Sequence, residues 1–478
     1  MKKRLATLLM ISSLGWWQIA QAEDLMEVFD QAVQFDPTFK QAQAQWLATQ
    51  ELVPITRGAL LPFISATGSV TRTRTHVEFD SPIIPDQTST GTASQYQINA
   101  GQTLFNYKSW AQLQNAKAQA KQAFATYNAA AQNLMVRVAN AYFAVLQAYD
   151  TLQATEATKR SLGHQLQQTE QQYKVGLVPI TNVQQVRASY DATAASEIAN
   201  QNAVSDRLEE LRGMTGVFYT CLAGINIQVP LVEPQPRNIN DWVIIASKQN
   251  YNYQASRYAT QAARENVKVQ RAGHFPTVNT VANYAYYNLG GGSNDTPLND
   301  TVPGIVSPGS ISIASVGIQA NLPIVQGGTV VAQTRQAAYQ YAEAAAQMQQ
   351  TYLSTLQQTR ESYLGVISGI SKIQADKQSL VSNQSSLSST KSSYTAGTAT
   401  IVDVLQQHTN LYSAMTSYSA DQYNYILSTL NLKQAAGTLC VKDLAIINCW
   451  LNKHIDLSRF DFNRVPPDCI ACTKPRNP

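Results

Sequence analysis

The sequence predicts a mixed α/β membrane protein. Each chain is expected to supply four transmembrane β-strands and two very long helical hairpins. Three chains would close a barrel of about 12 strands, continued by an α-helical coiled-coil barrel. Three observations lead there. The chain repeats itself: Tyr173-Lys-Val-Gly176 and Ile180-Thr-Asn-Val183 return 221 residues later as Tyr394-Thr-Ala-Gly397 and Ile401-Val-Asp-Val404. Four segments alternate apolar and small polar residues with period two. Two stretches of more than 60 residues lack proline and carry heptad-spaced apolar residues.

The offset of 221 also takes Gly216 onto Gly437. An offset of 220 lays Gln97–Ala100 onto Gly317–Ala320, and one of 214 lays Ala32, Asp36 and Pro62 onto Ala246, Asn250 and Pro276. Anchors in one order with so little drift mark a duplicated unit of roughly 210–220 residues. The first repeat is placed at 23–236 and the second at 237–437, followed by an irregular tail over 438–478 that carries cysteines.

Residues 1–22 read as a cleaved export signal. Lys2-Lys3-Arg4 is its basic start, Leu5 to Ile19 an interrupted apolar run, and Ala20-Gln21-Ala22 the small-residue cleavage site. A membrane anchor is the weaker reading, because Ser12, Ser13 and Gln18 break a run that is already short. No Cys follows the run, so a lipid-modified N-terminus is not expected. Removing the three basic residues takes the formal net charge from +4 to +1, which argues against nucleic acid or an anionic membrane as partner. No later stretch reaches the ~18 consecutive apolar residues of a spanning helix. The mature chain is therefore either soluble after export or crosses a membrane as a barrel. Only 14% of residues are charged, low for a secreted soluble protein but suited to helices that wall a watery space with Gln, Ser and Thr.

The period-two segments are Phe63–Arg72, Gln95–Phe105, Thr277–Asn288 and Ile311–Leu322. In the second, Tyr96, Ile98, Ala100 and Leu104 alternate with Gln95, Gln97, Asn99 and Thr103; in the fourth, Ala314, Val316, Ile318 and Ala320 alternate with Ser315, Gln319 and Asn321. One apolar and one small polar face over about 10 residues is the signature of a transmembrane barrel strand. A soluble sandwich with one solvated face is the competing reading. The strands pair into hairpins at 60–107 and 276–324, with turn-rich exposed tips over 80–94 and 289–310.

Helical hairpins are expected at 108–213 and 326–436. Phe124, Tyr127, Ala131, Leu134, Val138, Ala141, Val145, Ala148 and Leu152 keep a spacing of three and four, as do Val366, Ile370, Ile373, Leu380 and Leu387. Strict seven-residue repetition signals helices that supercoil on partners. A second stripe (Met135, Ala139, Tyr142, Leu146, Tyr149) gives the first long helix a neighbour on each side. At ~1.5 Å per residue each long helix would run ~100 Å. Each ends at a Tyr-x-x-Gly turn, with Gly176 and Gly397 suited to a left-handed C-cap, and Pro179 or Thr400 then opens a second helix. Residues 214–250 and 437–478 read as irregular. Cys221, Cys440, Cys449, Cys469 and Cys472 are five cysteines, an odd number whose pairing stays open. Cys469-Ile-Ala-Cys472 has redox spacing but reads as a terminal staple or plain tail, since no βαβ context surrounds it.

Four strands cannot close a membrane barrel, because the smallest use about 8. Unsatisfied backbone in lipid costs several kcal/mol per group, so the chain is expected to form a cyclic homotrimer with about 12 strands and a common axis.

The chain resembles the TolC family of trimeric outer-membrane exit ducts over nearly all of residues 23–437. The resemblance lies in Tyr173-Lys-Val-Gly-Leu-Val-Pro-Ile-Thr-Asn-Val-Gln-Gln-Val-Arg-Ala-Ser-Tyr-Asp191 and Tyr394-Thr-Ala-Gly-Thr-Ala-Thr-Ile-Val-Asp-Val-Leu405, with Tyr423-Asn-Tyr-Ile-Leu427 and Gly437-Thr-Leu439. It implies a passive duct of tripartite efflux or type I secretion, in the outer membrane of a Gram-negative bacterium and reaching into the periplasm. It also implies docking with a periplasmic adaptor (membrane fusion) protein and an inner-membrane transporter of ABC or RND type, with outer-membrane lipid around the barrel.

The resemblance further implies a gate where the hairpin tips close the periplasmic mouth. Tyr394 matches a linking tyrosine of that gate, but Ala399 stands where the family has arginine. Thr181 and Asn182 occupy the Thr-Asp partner positions, and Gln165 matches a further link. At the entrance constriction Asp403 keeps the first of two acidic positions and Gln406 replaces the second. A trimer would then present one ring of carboxylates there. Read without the resemblance, Asp403 is an acid in the first turn of a helix, stabilised by the helix dipole.

No cofactor and no enzyme activity are expected. His76, His164, His274, His408 and His454 lack metal-ligand spacing and read as polar surface or loop residues, and there is neither a Gly-rich phosphate loop nor a nucleophile elbow. The competing function is a periplasmic coiled-coil structural or adhesive protein without a channel.

Overall fold

The computed structural model describes residues 23–80, 83, 86–225, 229–290 and 309–460. The export signal expected at 1–22, Pro82 and Pro85 of the first tip, the glycine run of the second, and Cys469 and Cys472 lie outside the described residues. In chain order the elements are α1 (Leu25–Phe35), α2 (Pro37–Gln50), α3 (Leu52–Gly58), β1 (Phe63–Val77), β2 (Gln87–Asn106), α4 (Tyr107–Lys174), α5 (Ile180–Thr215) and β3 (Cys221–Ile225). They continue with α6 (Ile239–Gln249), α7 (Tyr251–Arg271), β4 (Thr277–Gly290), β5 (Gly309–Asn321), α8 (Thr329–Thr395), α9 (Ile401–Ala436), α10 (Val441–Asn448) and β6 (Leu451–Asp456). The chain divides into two compact units, one from residues up to 44, 126–253 and 352 onward, the other from 45–125 and 254–351. No helix among the described residues is long and apolar enough to cross a membrane.

The second unit holds an antiparallel sheet in the order β1-β2-β4-β5. Its register puts like on like. Ala66 faces Ile98, Ile98 faces Tyr284, and Tyr284 faces Ala314, so the apolar parity of each strand falls on one side. That side is open: Ile64 is 77% exposed, Val316 88% and Ile318 71%. On the other side the central strands β2 and β4 are partly covered and knit amides together, while β1 and β5 are exposed on both faces. Gln95 Nε2 donates to Gln97 Oε1 (3.0 Å), Gln97 Nε2 to Asn99 Oδ1 (2.7 Å), and Asn283 Nδ2 to the same Asn99 oxygen (2.8 Å). Strands β1 and β5 are the edges, each paired on one side only. Residues 87–94, expected as a tip loop, are strand. Their Thr-Ser-Thr run suits an extended backbone and pairs from Gln87 opposite Val77 to Ser94 opposite Val70.

The first unit is a helical core. Both apolar stripes of α4 are buried there, with Leu134, Val138, Val145 and Leu152 in one and Ala139, Tyr142 and Leu146 in the other, none more than 1% exposed. They pack with Leu25 and Val28 of α1, Leu208 and Leu211 of α5, and Ile426 and Leu430 of α9. Helix α1 starts on a capping box in which Asp24 accepts from the Glu27 amide and Glu27 from the Asp24 amide. Asp36 is nearly buried because it works twice: Oδ1 accepts from the Phe39 amide at the start of α2 (2.6 Å) and from Arg137 Nη2 of α4 (2.9 Å). Burial of a charge is tolerated when it is paired and hydrogen-bonded in this way.

Two stretches expected to be irregular are ordered. Residues 214–250 contain β3 and α6, and 438–460 contain α10 and β6. Strands β3 and β6 pair antiparallel, Cys221 opposite Asp456. Glu23 bridges in parallel to Leu222, while Asn448 accepts from the Leu25 amide and donates to Asp24. Strands of five and six residues are too short to show a period, and their ladder exists only in tertiary structure. Cys221, Cys440 and Cys449 are free thiols, the first buried.

Candidate functional site at the hairpin tips

The two helical hairpins turn by the same device. Gly176 and Gly397 both take φ of 76°, a left-handed conformation that glycine adopts without strain. The Gly176 amide donates to Tyr173 O (2.9 Å) and Leu177 to Gln172 O (2.9 Å); Gly397 and Thr398 do the same to Tyr394 and Ser393 (3.1 and 2.9 Å). Each pair of hydrogen bonds closes a Schellman motif and satisfies carbonyls in the last turn of α4 or α8.

The next helices start differently. Pro179, extended at ψ 156°, precedes α5 with no side-chain cap. Thr400 opens α9 with a capping box: the Asp403 amide donates to Thr400 Oγ1 (3.3 Å), and Asp403 Oδ2 accepts from the Thr400 amide (2.8 Å) and hydroxyl (2.7 Å). Asp403 is exposed, and these donors, the hydroxyl first, hold its carboxyl below the usual aspartate range. The predicted entrance acid is thus also the helix-start acid. Gln406, one turn on and exposed, donates to Asn410 Oδ1 (3.0 Å).

Behind the tips, Val186 of α5, Leu387 of α8, and Ile401 and Val404 of α9 form a small apolar cluster, with Leu166 and Tyr394 against it. Gln165 is buried and donates to Thr169 Oγ1 at 3.4 Å, a long contact. Tyr394 packs its ring on the cluster, and its hydroxyl is buried with no hydrogen-bond partner in the chain. Asn182 is half-buried, Thr181 exposed and Ala399 half-buried. The structure therefore brings Gln165 and Tyr394 into the packed layer and leaves Thr181, Asp403 and Gln406 facing outward. No hydrogen bond joins Tyr394 to Asn182 within the chain.

His408 corrects the reading of the histidines as surface groups. It is 4% exposed, its Nε2 has no partner, and burial, then the nearby Lys391, lower its pKa to about 4. The signal was present in Ile401, Val404 and His408, whose spacing of three and four puts the imidazole on the buried face of α9. Lys391 is itself held below the usual lysine range by burial, and its Nζ donates to Ser161 Oγ of α4 (3.1 Å). Ser386 Oγ of α8 lies 3.1 Å from Gln407 Oε1 of α9. Of the contacts behind the tips, these between α8 and its neighbours are hydrogen bonds, while α4 and α5 are joined by an ion pair, Arg187 Nη2 to Glu170 Oε1 at 2.7 Å. No group of three or more His, Cys, Asp or Glu placed to hold a metal occurs among the described residues.

Comparison with known proteins bears on these features. The sequence profile of the family described as outer membrane efflux protein matches residues 28–217 and 243–438. The chain is 34% identical over 476 residues to the outer membrane protein TolC of Salmonella enteritidis, covering 98% of this chain and 94% of that protein. It is 26% identical over 437 residues to the alkaline protease secretion protein AprF of Pseudomonas aeruginosa, covering 90% and 87%. Among solved structures, the outer membrane protein VceC of Vibrio cholerae superposes with a TM-score of 0.71 at 21% identity, over 88% of this chain and 98% of that one. The Campylobacter jejuni CmeC outer membrane channel gives 0.71 at 18% identity, over 92% of each.

Proposed function

The chain belongs to the outer membrane efflux protein family, and from that premise we propose how it works. It is an outer-membrane exit duct for efflux and type I secretion; relatives carry names from both, AprF as a protease secretion protein and TtgC of Pseudomonas putida as a probable efflux pump outer membrane protein. Three chains assemble as a homotrimer. Their strands close a barrel of about 12, β1 of one chain meeting β5 of the next, and their helices continue it as a periplasmic coiled-coil barrel. The duct is passive, so a periplasmic adaptor and an inner-membrane ABC or RND-type transporter supply cargo and energy.

One observation supports this reading: one face of the sheet presents exposed apolar side chains, the other carries linked amides on its central strands, and each edge strand is paired on one side only. A soluble sandwich would have to cover Ile64, Val316 and Ile318 with a second sheet. In lipid the apolar face is solvated, the amides line water, and edge pairing between chains satisfies the backbone. The purified protein is expected to run as an SDS-resistant trimer and to conduct ions across a planar bilayer. A monomer that stays soluble without detergent would sink the proposal.

The gate lies at the tips. The Tyr394 hydroxyl, buried and unpartnered in its own chain, swings outward to bond a neighbouring chain, with Thr181 and Asn182 as the groups on offer and Ala399 contributing none. Such neutral bonds are worth about 0.5–1.5 kcal/mol net, against about 1.5–3 where a charge takes part, so these links hold the closed state weakly and other contacts add to them. Three Asp403 carboxylates ring the entrance and favour cations, divalent ions included. Asp403→Asn is expected to lower cation preference and divalent block in single-channel recordings. Thr400→Ala keeps the charge while loosening the cap, and is expected to leave selectivity unchanged. Equal selectivity in wild type and Asp403→Asn would remove the ring. Because its carboxyl is held below the usual aspartate range, cation preference is expected to persist as pH falls into that range and to be lost only below it.

A further inference from the structure

We propose that Asp376 of α8 and Asp421 of α9 hold a single proton between them, and that its release as pH rises loosens the second helical hairpin. Lys372 and Asp376 stand one turn apart on α8, facing α9. Lys372 Nζ lies 2.8 Å from Asp421 Oδ1, and the Asp421 side chain is only 8% exposed. Its other oxygen, Oδ2, is buried and receives no hydrogen bond, and the same holds for Oδ2 of Asp376. Two ionised carboxylates have nothing but lone pairs to offer each other. A proton placed between them satisfies both oxygens at once and, with Lys372, leaves the trio neutral instead of carrying one net negative charge.

The groups acting on the pair are few. Lys372 and Asp376 come from α8, and Asn424 of α9 adds an amide donor to Asp421. The Asp376 carboxyl is pushed up to about 6, first because only its protonated form can hydrogen-bond to Asp421, then by burial and by the Asp421 charge, with Lys372 opposing. Burial raises Asp421, but hydrogen bonds from Asp376 and Lys372 outweigh it and hold that carboxyl below its ordinary value. Asp376 thus carries the proton and Asp421 the charge. The sign follows from linkage. A carboxyl whose value is raised on folding stabilises the fold below its ordinary range, and that contribution is lost as pH climbs through the raised value. The hairpin is tightest in mild acid and loosest above neutrality. A divalent ion suits the place less well, because Lys372 already occupies one carboxylate oxygen.

The consequence for opening rests on the reading of this hairpin as part of the gate; the shared proton does not. Asp376→Asn presents an amide donor to Asp421 at every pH. In the full-length protein in detergent, wild type is expected to lose thermal stability relative to this variant between about pH 5 and about pH 8, and to unfold roughly 2 °C below it at the upper end. Infrared difference spectra of the wild type should show one carboxylic-acid band vanishing over that interval that the variant lacks. The same pH slope in both proteins would overturn the proposal. So would calcium raising the unfolding temperature of wild type but not of Asp376→Asn at the upper pH, which would mark a cation site. In planar bilayers, opening should rise with pH in wild type only. A pH-independent opening beside an intact melting slope would overturn the link to the gate. No conductance in either protein, with the slope intact, would count against the duct and in favour of the proton pair.

Discussion

Ile98→Arg is expected to abolish insertion into the outer membrane. Ile98 sits on a central strand, on the apolar side between Ala66 and Tyr284, half-exposed. A lipid-facing arginine near the middle of the bilayer costs about 2–4 kcal/mol, and each ring would carry three. Gln97→Arg makes the sharp comparison. Gln97 is the adjacent residue but belongs to the amide ladder, hydrogen-bonded to Asn99, where a cation meets water. Fractionation and SDS-resistant trimer content should fall to background for the first and stay near wild type for the second. The reverse order would mean that the sheet faces lipid with its other side.

Gly437→Ala is expected to cost roughly 3 kcal/mol or more, the sum of backbone strain and overpacking. The residue ends α9 at φ of 75°, and an added Cβ would lie 2.3 Å from Gln249 O and 2.7 Å from the Asn250 amide nitrogen. That backbone has nowhere to go. The Asn250 amide donates to Ala246 O (3.0 Å) and its side chain to Ala435 O (2.9 Å), which clamps the end of α6 to the end of α9. Gly397→Ala provides the contrast: φ is 76°, but nothing lies within 4 Å of the new methyl group. Only the conformational cost remains there, about 1–2 kcal/mol. Thermal unfolding of both variants should separate them by several degrees. Equal losses would show that the clash at Gly437 is relieved by movement of α6.

Long periodic features were legible in the amino-acid order. Heptads such as Leu134-Val138-Ala141-Val145 and alternations such as Gln95 to Ala100 state which face is apolar, and a few Gly and Pro positions punctuate them. The pairing of β3 with β6 was not legible, because Cys221 and Asp456 lie far apart in the sequence and meet only in the tertiary structure. Nor was the partnership across α8 and α9. Lys372 and Asp376 have the i, i+4 spacing common to helix surfaces, and nothing local to Asp421 announces that it will be buried against them. The site divides along the same line. The Gly176 and Gly397 turns and the Thr400-x-x-Asp403 box are local chemistry. The burial of His408 needed its spacing from Ile401 and Val404 to be weighed above its polarity, and the empty hydroxyl of Tyr394 needed coordinates.

The bare edges of the sheet bear on inheritance as well as on architecture. In the proposed trimer each chain completes its barrel with the β1 of one neighbour and the β5 of the other. A subunit with one spoiled edge still offers a sound one, so it joins a ring and then prevents that ring from closing. In a cell making equal amounts of sound and spoiled chains, random mixing leaves only about one ring in eight free of the defect. An edge-strand lesion should therefore behave as dominant, while a lesion that prevents the chain from folding at all should be recessive.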